Sequence, residues 1–208
     1  MNDDGTMARL SDLLKFSKRH NLKIGTIADL IQYRSETESL TKKLYTQLVS
    51  TYWGKLKMIV YKDLIENQSH VAFVKGENLS KQVSFVRVHE PATLLDTILK
   101  EKSIHSWSFD SAMKFISSKS SGVVLLLNCA SSSEVFFENL KQFSNGKKKN
   151  KKNTSRTLRN YGLGAAILRD IGIKKMIVLS EPLKMPSMAG YGLEVVEYLS
   201  SKEKNLIL

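Results

Sequence analysis

The sequence predicts a mixed α and β fold, α+β in class, with an antiparallel meander followed by helices and further strands. Three observations carry this. Between residues 44 and 89 the hydrophobic pattern runs with a period of two and is broken by glycines at 54 and 76, as short strands joined by turns require. From residue 91 onward, "PATLLDTILKEK", "SFDSAMKFISSK" and "SEVFFENLKQF" repeat their apolar residues at helical spacing. Short continuous apolar runs, "GVVLLLN" and "KMIVLS", stand between and after these helices and read as buried strands.

Along the chain, "RLSDLLKFSKRH" (9–20) and "TIADLIQYR" (26–34) each gather apolar residues on one helical face, and "NLKIG" between them reads as a short strand ending in a glycine turn. The polar stretch "RSETESLTKK" is a linker, so residues 1–34 form a tail segment, 35–49 a linker and first strand, 50–200 the main domain and 201–208 a second tail. "LYTQLVSTYWGKLKMIVYKD" supplies two strands around Gly54, and "SHVAFVKGEN" with "QVSFVRVHE" two more around Gly76. Pro91 suits the first turn of a helix, and Ser108 and Ser133 suit the caps of the next two, with Phe109, Met113 and Phe115 facing inward. Gly162 and Gly164 are placed where the chain enters a further helix. The strand "KMIVLS", the turn "PSMAGYG" and a last strand "LEVVEYL" complete the pattern.

With 208 residues and 42% hydrophobic content the chain has enough apolar mass for a core. Its longest apolar run is six residues, "GVVLLL", too short to span a bilayer, and "MNDDGT" lacks the features of a secretory leader. A cytoplasmic location and no membrane partner are therefore expected. A single cysteine, Cys129, cannot close an internal disulfide or build a structural zinc site. The net charge of +12 favours anions, but five of the lysines lie in "KKKNKK" (147–152), flanked by Ser, Asn, Gly and Thr and without interleaved aromatics. That composition describes a solvated loop better than a nucleic-acid surface.

Two segments resemble a known pair of enzymes. "MNDDGTMARLSDLLKFSKRHNLKIGTIADLIQYR" resembles the closing segment of 3,4-dihydroxy-2-butanone 4-phosphate synthase. "HVAFVKGE", "VRVHEPATLLDTI", "RNYGLGAAILRDIGIKK" and "GYGLEVVE", in this order, resemble GTP cyclohydrolase II. The resemblance implies the C-terminal part of a fused riboflavin-biosynthesis protein, with a synthase domain covalently attached upstream and a homodimer as the assembly. Because the synthase's catalytic motifs would lie before Met1, this chain is not expected to perform that reaction.

The cyclohydrolase family opens the imidazole ring of GTP with a zinc-activated water, releasing formate and diphosphate. Its three zinc cysteines correspond to Ala92, Ser103 and His105, a set that cannot hold zinc, so no cofactor is expected. The family's "RQEGR" turn against the nucleotide corresponds to "NCASS" (128–132), and a family glutamine falls near Ser108. The family's general acid/base aspartate is Thr157 here, while the arginine proposed as nucleophile is kept as Arg159. Arg87 and His89 of the "RVH" strand, Ser180 at a GTP-contacting threonine position and Lys184 at a later lysine position remain as candidates for nucleotide or anion binding.

The function expected from this pattern is a catalytically inactive GTP cyclohydrolase II-like domain with a structural or regulatory role toward the synthase half. An alternative is a module sensing a nucleotide or phosphorylated metabolite through Arg87, Ser180 and Lys184. A residually active cyclohydrolase, with metal held by Cys129, His89 and His105, and a nucleic-acid role for the lysine run stand behind it.

Overall fold

The computed structural model describes residues 1–38, 40–90, 106–127, 154–182 and 188–201. The expected helices at 91–102 and 133–143, the lysine run and the positions Ala92, Ser103, His105, Cys129 and Lys184 lie outside the described residues.

Two helices open the chain, α1 (Leu10–His20) and α2 (Ile27–Thr37). Asn21 ends α1 in the left-handed conformation, and the residues predicted as a strand, "NLKIG", form a connector instead. So short a stretch needs a pairing partner to become a strand, and among the described residues none of the seven strands pairs with it. Thr26 caps α2 reciprocally: its hydroxyl accepts from the Asp29 N–H at 3.1 Å, and the Asp29 carboxylate accepts from the Thr26 N–H at 3.1 Å. No described helix is long and apolar enough to cross a membrane.

The described strands form one mixed sheet: β1 (Thr41–Thr51), β2 (Gly54–Asp63), β3 (Ser69–Lys75), β4 (Val83–His89), β5 (Gly122–Leu126), β6 (Lys175–Val178) and β7 (Glu194–Tyr198). Their spatial order is β1-β2-β3-β5-β4-β6-β7. The meander is real through β1, β2 and β3, which pair antiparallel about the Gly54 turn (φ +109°) and the 64–68 connection. It stops there, because β5 inserts between β3 and β4. It runs antiparallel to β3 and parallel to β4, and β6 and β7 continue in parallel.

The Gly76 turn expected from sequence is present at φ +87°, and a Cβ there would lie 2.3 Å from the Ser120 carbonyl oxygen, so the β5 approach needs glycine. Helix α3 (Phe109–Ser117) starts at Ser108, whose hydroxyl accepts from the Ser111 N–H at 3.2 Å, and it buries Ala112, Met113, Phe115 and Ile116.

A parallel sheet must be covered on both faces, and here it is. On one face α4 (Thr154–Ile171) packs Leu163, Ala165, Ile167 and Leu168 against Ile59, Tyr61, Ala72, Val86 and Leu125. On the other, α3 and Trp107 pack against Leu56 and Val124, with Phe73 and Phe85 at the margin. Strand β5, apolar at nearly every position, is buried between these layers, as its unbroken "GVVLL" requires.

Glycines 162 and 164 lie inside α4, seven or more residues beyond its start at Thr154. The helix begins earlier than the apolar pattern suggests because its first turns are polar. A Cβ on Gly162 would meet the Tyr191 hydroxyl at 2.7 Å, so this glycine admits a neighbouring side chain; a Cβ on Gly164 would make ordinary contact with Val88 at 3.7 Å.

Candidate functional site

In a parallel sheet flanked by helices, ligands are met at the carboxyl ends of the strands. Here β4, β5 and β6 end together at Arg87–His89, Leu126–Leu127 and Val178–Ser180. Because β3 runs antiparallel to β5, with Val71 opposite Leu126, the start of β3 and the end of β2 reach the same edge. Asp63, Glu66 and His70 thereby join it from the hairpin side.

The alternation of β4 divides the retained residues between two faces. Val86 and Val88 turn toward α4, whereas Phe85, Arg87 and His89 turn toward α3. Arg87 is buried, and its guanidinium donates to the Leu179 carbonyl at 2.8 Å and the Trp107 carbonyl at 3.1 Å. Trp107, fully buried, in turn donates its indole N–H to the Leu199 carbonyl at 2.8 Å. Arg87 and Trp107 together bind the carboxyl ends of β4, β6 and β7 to one another. Buried His89 packs beside the Phe109 ring at 6.3 Å between centroids. Ser180 is buried next to Leu179, and its hydroxyl donates to the Glu181 carbonyl at 2.9 Å.

Arg159 stands apart from that cluster, on the α4 side of the sheet. Its guanidinium pairs with the Asp63 carboxylate and with Glu66. Asp63 is almost wholly buried, and its other oxygen accepts the N–H groups of Ile65 at 2.8 Å and Glu66 at 3.3 Å, which folds the turn that carries Glu66. Thr157 falls within the first turn of the same helix. Neither Asp63 nor Glu66 follows from local sequence pattern, because Asp63 closes a strand and becomes a partner only through a contact 96 positions away.

The same face holds a second polar group that the sequence did not signal. The Tyr61 hydroxyl donates to Asp170 at 2.6 Å, and Lys43 pairs with the same carboxylate at 2.9 Å. Burial and the bond to Asp170 push the Tyr61 hydroxyl far above its ordinary value. For Asp170 burial opposes ionisation, but the bonds from Tyr61 and Lys43 outweigh it and hold the carboxyl below its usual range. His70, fully buried beside this group, is depressed by burial, with Asp63 acting weakly in the opposite sense.

A hydrolytic zinc needs three fixed donors and an open position. Alanine at 92 offers no donor and the hydroxyl of Ser103 is a poor one, and among the described residues no group of three His, Cys, Asp or Glu side chains is placed to hold a metal.

Comparison with known proteins places this architecture. The family model for GTP cyclohydrolase II matches residues 41–200. The chain belongs to the GTP cyclohydrolase II family. A second model, for 3,4-dihydroxy-2-butanone 4-phosphate synthase, matches residues 1–33, so two riboflavin-biosynthesis families meet in one chain. A protein of Neisseria meningitidis serogroup B named 3,4-dihydroxy-2-butanone 4-phosphate synthase is 41% identical over 198 residues, covering 95% of this chain and 53% of that protein. The riboflavin biosynthesis protein RibBA of Aquifex aeolicus is 34% identical, covering 97% of this chain and 52% of its own length. Among solved structures, RibBX from A. baumannii, described as a two-domain 3,4-dihydroxy-2-butanone 4-phosphate synthase, superposes with a TM-score of 0.53 at 30% identity, over 96% of this chain and 52% of that one. This cyclohydrolase II family member thus spans about half the length of the relatives it matches.

Proposed function

We propose that this chain is a cyclohydrolase II-like domain that no longer opens GTP and serves as a structural or regulatory partner of a 3,4-dihydroxy-2-butanone 4-phosphate synthase domain. The observation that carries the proposal is the state of Arg159. At the position where the family has its proposed nucleophile, both terminal nitrogens are engaged by Asp63 and Glu66, and the general acid/base position in the preceding turn is a threonine. A guanidinium neutralised by two carboxylates is held as a brace, and a threonine hydroxyl carries no titrating proton near neutrality.

Other features support the same reading. Arg87 and Ser180 direct side-chain donors at main-chain carbonyls, which favours scaffolding over capture of a phosphate by these groups. Several relatives aligned over nearly the whole of this chain carry the synthase name alone. Helix α2, most of which the synthase model matches, lies against the turn Met188–Tyr191, and the Tyr191 hydroxyl lies against Gly162 of α4. That chain of contacts gives the synthase-matching segment a physical connection to the cyclohydrolase-matching domain.

Zinc content and formate release from GTP, measured together on the purified chain, test the loss of chemistry. The expected result is zinc below about a tenth of an equivalent and no formate above a GTP-only control. One equivalent of zinc with GTP-dependent formate release would overturn the proposal.

A further inference from the structure

Basic residues gather where the strands end on the side away from the candidate site. That end of the sheet is formed by the β1–β2 turn at 51–55, the β3–β4 connection at 75–83, and the approaches to β5, β6 and β7 at 117–122, 172–175 and 192–194. These segments hold Lys55, Lys75, Lys81, Lys119, Lys174 and Lys175 against Glu77 and Glu194. Glu194 is already paired with Lys175 at 3.0 Å. At the opposite end, residues 63–69 carry Asp63 and Glu66 and neither lysine nor arginine.

The topology orders lysines that are scattered in sequence. Strands β2, β3, β5, β4 and β6 stand side by side, and each brings a lysine to its end or just before it: Lys55, Lys75, Lys119, Lys81 and Lys175, in that spatial order. The pairings hold them level, with Lys75 opposite Gly122 and Val83 opposite Lys175. Neighbouring strands lie about 4.8 Å apart, so the row spans roughly 19 Å. A nucleic-acid strand stacked at about 3.4 Å per residue carries about five phosphates over that length. Lys55, Lys81 and Lys174 are exposed, as is Lys57 further along β2, and none of the four makes an ion pair among the described residues. At the β1–β2 end of the row, Tyr52 is 93% exposed, and the Trp53 ring stands edge-on to it at 6.3 Å. An aromatic face left in water beside a row of cations offers a platform on which a base can stack.

We propose that this end of the sheet binds single-stranded nucleic acid, with phosphates laid along Lys55, Lys75, Lys119, Lys81 and Lys174 and one base stacked on Tyr52. Charge complementarity selects a polyanion, and Tyr52 selects one that carries unpaired planar bases. An acidic protein partner would need an apolar centre to the contact, and the other large apolar side chain exposed on these segments is Val83, at 40%. The contacts are to phosphates and to a base face, so binding is independent of sequence. None of these lysines belongs to the 147–152 run.

Fluorescence anisotropy of a labelled oligouridylate of about twelve nucleotides, at about 50 and about 200 mM salt, tests the proposal on the full chain. About five phosphate contacts, at a single-strand slope of about 0.7 each, predict affinity that falls roughly a hundredfold over that range. The combined variant Lys55→Glu, Lys81→Glu and Lys174→Glu should weaken binding by about tenfold or more and flatten the salt slope by about two. Tyr52→Ala should weaken it by about tenfold and leave the slope unchanged, with the melting temperature of both variants at the wild-type value. A chain with serine in place of the lysines of 147–152 should lose as much affinity from the combined variant as the wild type does. Absence of salt-dependent binding overturns the proposal. So does binding that the serine variant abolishes and the combined variant leaves intact, or equal competition by polyglutamate or by phosphatidylserine vesicles, which would assign the surface to an acidic protein or an anionic membrane.

Discussion

Replacing Arg159 with alanine distinguishes a brace from a reactive group, and the structure sets the size of the effect. The Asp63 side chain is 2% exposed and that of Arg159 28%. Removing the arginine leaves a carboxylate buried without its cation. Breaking a buried ion pair costs about 3–5 kcal/mol, but the N–H groups of Ile65 and Glu66 stay on Asp63 and offset part of that. A loss of about 2–3 kcal/mol remains. For a domain of this size that lowers the melting temperature by roughly 5–10 °C. The assay is thermal and urea unfolding of the wild type, Arg159→Ala, Asp63→Asn and the double variant. The Asp63→Asn change keeps an oxygen for the turn but removes the buried charge, so the double variant should lose less than the sum of the single losses, by about 1–2 kcal/mol. A melting shift below about 2 °C for Arg159→Ala, or strict additivity, would refute the brace and return Arg159 to the candidates for ligand contact.

Two further expectations follow from the same face. Alanine at Gly164 meets only ordinary contacts at 3.7 Å and longer, so helix propensity should raise stability by up to about 1 kcal/mol. Alanine at Gly162 must displace the Tyr191 hydroxyl at 2.7 Å, and overpacking of about 1–3 kcal/mol should cancel or exceed that gain; calorimetric melting should leave the Gly162 variant no more stable than the wild type and the Gly164 variant more stable. His70 supplies a pH dependence. Its folded-state pKa is below the ordinary value of 6.5, so the unfolded chain binds the proton first and stability falls as pH drops from near 6.5 toward the depressed value. The depressed carboxyl of Asp170 adds to the loss at still lower pH. Urea midpoints at about pH 7.5 and pH 5 should differ less in His70→Gln than in the wild type, and equal slopes would rule His70 out as a source.

Much of the local structure was legible. Gly54 and Gly76 mark turns at positive φ, Ser108 caps α3, Met113 and Phe115 face the core, and "GVVLL" lies buried between two layers. Each is set within a few residues, by backbone freedom, a capping hydroxyl or a hydrophobic period. The order of the strands was not legible. Four consecutive strand patterns suggest a meander, yet β5 takes the place beside β3, since apolar alternation says which face a strand buries and not which neighbour it pairs with.

The site divides in the same way. Sequence alone set which side chains stand at the positions where the family resemblance expects its zinc ligands and its acid/base: alanine at 92, serine at 103 and threonine at 157, on which the proposed loss of chemistry rests. It also determined that the chain would combine strands with amphipathic helices in an α+β fold. Only the tertiary structure decided what the retained residues do. Arg159 meets Asp63 across 96 positions, and Arg87 and Trp107 each reach a carbonyl 92 positions away. A charged side chain takes its role from the partners that replace its water, and at such separations those partners are chosen by the packing of whole elements.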